Sequence, residues 1–211
     1  MNADLLYRII QKHALWLLVV FHLIGLFIFK MPDRVEGLSA LNILFCSFLV
    51  FFSSKDIREE WKYFLFIGLG GIFLEELGVN TGLLFGEYTY GNELGPKLMG
   101  VPLVLMLNWY CVVVASAHFV LKCFSGVPLF VQALFAAILC TALDFVIEPV
   151  AIKYDFWQWA QVAVPVFNYI CWFIFAFVFS FVYLRKNREV NNTACWLLAV
   201  WFLFFSVLNF I

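Results

Sequence analysis

Apolar residues run along this chain in seven stretches long enough to cross, or nearly cross, a hydrocarbon core of about 30 Å. They fall near 13–30, 38–53, 62–79, 98–121, 127–149, 162–184 and 193–211. The second is short, and the third carries Gly68, Gly70 and Gly71, which permit close packing between helices. The first is too long for a signal-peptide core and lacks a small-residue cleavage site, so it reads as a true span. The pattern predicts an all-α, polytopic membrane helix bundle forming a single integral-membrane domain over residues 1–211. No soluble domain, long linker or low-complexity tract interrupts it.

Basic residues predict the orientation. With seven spans, the N-terminus and the loops after the second, fourth and sixth share one side. That side carries Arg8, Lys12, Lys55, Arg58, Lys62, Lys122, Arg185, Lys186 and Arg188, and the other carries Lys30, Arg34, Lys97 and Lys153. Nine against four places the N-terminus in the cytoplasm and the C-terminus outside. A rise of about 1.5 Å per residue then puts Glu75 and Asn108 roughly 20 Å above the cytoplasmic boundary, with Asp144 and Asn168 roughly 25 Å above it. Four helices supplying one polar layer predict a shared cavity in the outer half of the bilayer.

Composition agrees with a membrane setting: 65% of the residues are hydrophobic and 13% charged. A formal charge of −1 gives no reason to expect a nucleic-acid partner. The cysteines (Cys46, Cys111, Cys123, Cys140, Cys171, Cys195) lie mostly within apolar runs and form no CxxC pair, so they read as small buried hydrophobes.

Carboxylates in hydrocarbon cost several kcal/mol unless paired, protonated or wetted, so the two acidic clusters need a reason. Glu75 and Glu76 precede a segment, residues 75–102, too rich in glycine, proline, asparagine and threonine for an uninterrupted helix. Such backbone at membrane depth requires cover by protein or water, which predicts a loop capping a cavity. Glu87, Glu93 and Lys97 read as ordinary exterior-loop residues around a turn at Tyr90-Gly91-Asn92. In the second cluster, Asp144 and Glu148 share a helix face at i, i+4, and Pro149 is expected to end or kink that helix. Asp144 reads as functional. Glu148 stays open between a site residue and a wetted interfacial carboxylate, as do Trp157 and Trp159 between site residues and interfacial anchors.

These segments resemble the integral-membrane carotenoid hydratases. The likeness rests on ELGVNTGLLFGEYTYGNELGPKLMGVPL with Asn108-Trp109, and on the later D-x-x-x-E-P-V-A followed by W-x-W. It covers about residues 70–175. At position 148 the family pattern has Asp before the proline, whereas this chain has Glu148. The resemblance implies water addition to the terminal double bond of an acyclic carotenoid end (lycopene, γ-carotene or a relative) in a bacterial or archaeal cell membrane.

Protonating a trisubstituted alkene needs a strong, well-placed acid and creates a tertiary carbocation. A carboxyl group kept neutral can donate the proton, and aromatic faces can stabilise the cation. Asp144 is the candidate acid, with Glu76, Glu75 and Glu148 as further catalytic carboxylates and Glu76 slightly preferred to Glu75. Asn80, Phe85, Tyr88, Tyr90, Asn108, Trp109, Trp157, Trp159 and Asn168 are the candidate substrate-binding residues, with Phe145 and Trp172 as further aromatic faces near the layer. The chemistry requires no cofactor and no metal. The expected partners are the lipid-soluble carotenoid and membrane lipids, with no nucleic acid. The sequence leaves open a homo-oligomer or an association with other carotenoid enzymes.

Other readings fit less well. A prenyl-protein-type protease wants an arginine where Asn80 stands and histidine motifs that are absent. A rhodopsin needs a lysine in the last span, and a di-iron desaturase needs more than His13, His22 and His118. A carotenoid or isoprenoid cyclase or isomerase using the same acid is the nearest alternative. A non-enzymatic lipid-binding protein is the alternative of a different class.

Overall fold

The computed structural model describes residues 3–31, 37–161, 163–186 and 188–211. Arg34 of the basic tally, and position 162 where the sixth span was expected to begin, lie outside the described residues. Seven helices are present among those described: α1 (Ala3–Ile28), α2 (Leu38–Phe52), α3 (Ile57–Thr81), α4 (Leu105–Cys123), α5 (Leu129–Lys153), α6 (Val166–Leu184) and α7 (Asn192–Leu208). The protein is an all-α membrane helix bundle. Helices α1, α3, α4, α5 and α6 are long and apolar enough to span; α2 and α7 are apolar but shorter.

The bundle is built around α4, whose run Val112–Ala117 is buried on every face. A helix apolar all round belongs in such a position. It packs against α2, α3, α5, α6 and α7. Large apolar side chains such as Trp16, Phe27, Phe73 and Leu203 instead cover the outer surface, as lipid contact requires. Caps set two helix starts: Asp56 accepts the Glu59 amide at 3.1 Å, and Asn191 accepts the Ala194 amide at 3.2 Å. Five cysteines are buried and free; Cys123 departs from the expectation and is exposed.

Two spans differ from the sequence reading in ways that shape the site. The fourth helix starts at Leu105 rather than 98, because Met99 and Gly100, both at positive φ, turn the chain into a short antiparallel hairpin of β2 (Lys97–Leu98) and β3 (Val101–Pro102). Helix α5 does not stop at Pro149 but continues to Lys153. Next to that interruption Asn209 Nδ2 donates to the Val146 carbonyl at 2.9 Å, tying the end of α7 to this stretch of α5. The continuation carries the chain to β4 (Trp157–Trp159), which pairs antiparallel with β1 (Tyr88–Tyr90) across the end of the bundle.

Candidate active site

On α3, Gly68, Gly71, Glu75 and Gly78 fall at spacings of three and four and form its buried stripe. A Cβ at Gly71 would stand 2.3 Å from Trp109 Cγ, so only glycine lets the Trp109 indole lie against α3. There its Nε1 donates to Glu75 Oε1 at 2.9 Å. Residues two apart in a strand share a face, and Tyr88 and Tyr90 use that to donate together to Glu75 Oε2, at 2.6 and 2.7 Å. Burial, and after it the Glu75 carboxylate, push both phenols above their ordinary pKa, so they stay protonated donors.

The β1–β4 register places Trp159 opposite Tyr88 and Trp157 opposite Tyr90. The two indoles donate from the same ribbon to Glu148 Oε2, at 3.0 Å for Trp157 and 2.9 Å for Trp159. A two-stranded ribbon thus supplies four neutral donors, two to each glutamate. Asn168, in the first turn of α6, completes the set: its Nδ2 donates to Asp144 Oδ2 at 2.8 Å and to Glu148 Oε1 at 3.2 Å. One turn on, Trp172 stacks on Trp109 with ring centroids 4.0 Å apart and planes 8° apart.

The donors are unevenly shared. Glu75 and Glu148 each have both oxygens engaged. Asp144 has one, and its Oδ1 meets no protein donor among the described residues. Asn108 likewise lines the site with a side-chain amide that no protein group engages among the described residues. All these groups face one cavity of about 190 Å³. No described residue of its lining is basic, and among the described residues Glu75, Asp144 and Glu148 are held by neutral donors alone.

The structure brings together Glu75, Asn108, Asp144 and Asn168, the polar layer of four helices, adds Glu148 to them, and sets Phe85, Tyr88, Tyr90, Trp157, Trp159 and Trp172 around them. Trp109 stands behind Glu75 rather than in the lining. Glu76 does not join them: one residue on is about 100° around a helix, so it leaves the buried stripe, and Glu75 takes the place preferred for it. Asn80 is also outside, exposed and donating to the carbonyls of Glu76 and Met99. Phe145 points outward, 64% exposed, in ring contact with Tyr169.

Glu93 reverses its reading as an ordinary loop residue. It is buried, accepts a hydrogen bond from Ser39 Oγ at 2.9 Å and lines the cavity, because the loop folds back onto the start of α2 with Leu94 buried beside it. Glu87 and Lys97 are exposed, as loop residues should be. The stripe of glycines was the signal that separates Glu75 from Glu76. Nothing local in Asn92-Glu93-Leu94-Gly95 announces that Glu93 turns inward.

A family profile described as carotenoid biosynthesis protein matches residues 37–211. The chain belongs to that family. Within the carotenoid biosynthesis proteins, it is similar to the bisanhydrobacterioruberin hydratase of Haloarcula japonica, at 27% identity over 186 residues. That alignment covers 79% of this chain and 63% of the relative, so the chain spans less than two thirds of the relative's length. No solved structure matches the chain.

Proposed function

We propose that this carotenoid biosynthesis protein is a hydratase that adds water to the terminal double bond of an acyclic carotenoid end, with Asp144 as the acid. One observation carries the reading: the carboxylates of Glu75, Asp144 and Glu148 meet in an aromatic-walled membrane cavity, and of these three only Asp144 keeps an oxygen clear of protein donors among the described residues. Its Oδ1 proton passes to the CH carbon of the terminal double bond, which becomes a methylene, leaving a tertiary cation on the end carbon that carries the two methyl groups. The carboxylates of Glu148 and Glu75 supply compensating negative charge, and the aromatic wall shields the cation from stray water. A water held by the Asn108 amide attacks the cation, and its surplus proton goes to Glu75. Cavity water returns that proton to Asp144, so the enzyme is regenerated and the product is a tertiary alcohol. The similarity to a named hydratase supports the same class of reaction.

Expression in a host that accumulates lycopene or γ-carotene tests this directly. The expected result is a pigment heavier by one water per reacting end. A pigment of unchanged mass with a new ring would make the protein a cyclase, and an unchanged pigment would make it a binder.

The same reading makes it a multi-pass protein of a prokaryotic cell membrane with its N-terminus in the cytoplasm, supported by the basic asymmetry. Alkaline phosphatase fused after Ile211 should be active and green fluorescent protein fused there dark. The opposite pattern inverts the topology.

A further inference from the structure

The cavity's lining is buried or half-buried except at three described residues, Phe21 and Ile24 on α1 and Leu41 on α2, which are 37%, 52% and 58% exposed. All three are apolar, and all lie on the two helices that flank one side. A side chain that both lines a cavity and faces out marks its opening. This opening therefore faces the lipid between α1 and α2, not water. It is continuous with the carboxylates: Trp201 and Phe204 of α7 floor the passage, and Gly25 brings α1 close over them, since a Cβ there would stand 3.2 Å from Phe204 Cε2. Toward the start of α1 the slot is shut by Phe21 stacking on Phe45, with ring centroids 4.4 Å apart.

We infer that the α1–α2 slot is the substrate port: the reacting end of the carotenoid lies at Asp144 while its polyene runs out between Ile24 and Leu41 into the bilayer. This rests on the carotenoid reading above. The chemistry of the opening fits that occupant. A polyene is a rigid apolar rod far longer than the polar end of the cavity, so most of it must remain outside. A water-facing mouth would expose it, whereas a lipid-facing one lets it pass from one apolar medium to another at little desolvation cost. The slot is thus a specificity element, admitting a slender methyl-bearing polyene and opposing bulkier groups at the end that enters.

The test reads binding, not turnover. The full chain is purified in detergent from a lycopene-accumulating host, and pigment per protein is measured. Ile24→Trp with Leu41→Trp should lower retained pigment by roughly tenfold, the scale on which overpacking a contact acts. Ile24→Ala with Leu41→Ala should retain it, and so should Phe73→Trp, which faces lipid away from the slot. Wild-type retention by the double tryptophan variant overturns the port. Misfolding could also remove pigment, so a second measurement uses Leu41→Cys labelled in native membranes with a lipid-soluble maleimide and read as the modified peptide. Labelling should be slower in lycopene-containing membranes than in pigment-free ones; equal rates mean that only lipid chains fill the slot, and the port is wrong. Protection of position 41 in the Leu41→Cys chain, together with no water addition by the wild type, refutes the hydratase reading and leaves the port standing. Hydration with position 41 unprotected does the reverse.

Discussion

Asp144→Asn is expected to lower the rate of water addition by roughly 10²–10⁴-fold, the usual worth of a positioned general acid, while carotenoid stays bound. Asparagine matches aspartate in volume and can still meet Asn168 through its amide oxygen, so the hydrogen bond at 2.8 Å has a replacement. What disappears is the proton on the oxygen that no protein group engages. Loss of turnover with retention of pigment separates a missing acid from a collapsed site. Glu87→Gln, on the exposed part of the same loop, is the control and should be neutral. Glu93 cannot serve as that control, because it is buried against Ser39 in the cavity lining. If Asp144→Asn hydrates at near the normal rate, the acid is one of the glutamates and the unengaged oxygen of Asp144 has another purpose.

The parts of this site visible in the sequence are those that helix geometry controls. Rise per residue places Glu75, Asn108, Asp144 and Asn168 at one level, and the structure gathers them in one cavity. Helical phase could have gone further, since Gly68, Gly71 and Gly78 mark the buried stripe to which Glu75 belongs and Glu76 does not. Sequence reasoning fails where contacts are distant. The pairing of β1 with β4 joins residues about seventy apart, and without it nothing says that Trp157 and Trp159 donate to Glu148 instead of sitting in the lipid headgroups. Helix α5 runs on through Pro149 to Lys153, past the point where a proline rule applied locally would end it.

Arg188→Met should destabilise the protein by about 3–5 kcal/mol, the cost of leaving one member of a buried ion pair without its partner. Glu60 is 1% exposed, and Arg188 Nη1 donates to its Oε2 at 2.9 Å. The guanidinium lies over the rings of Tyr183 and Tyr63, 3.8 and 4.2 Å from their centroids. Tyr110 and Tyr183 both donate to Glu60 Oε1, at 2.8 and 3.1 Å. The Asn191 amide donates to His118 Nδ1, which fixes the proton on Nε2 and aims it at the Tyr183 oxygen 2.9 Å away. Asn191 also caps α7 and accepts from Ser53 Oγ, so the network ties α3, α4, α6 and α7 to the end of α2. Removing the arginine strands Glu60 among tyrosines. Glu60→Gln in the same chain removes the stranded charge and should restore most of the lost stability, read as the temperature of half-aggregation in detergent. The network stands fifteen residues before Glu75 on α3, roughly 22 Å along the helix. Arg188→Met should therefore reduce the amount of folded protein and leave the turnover of each folded molecule near normal. A single variant as stable as the wild type would show that water reaches Glu60 at that end of the bundle and replaces the arginine.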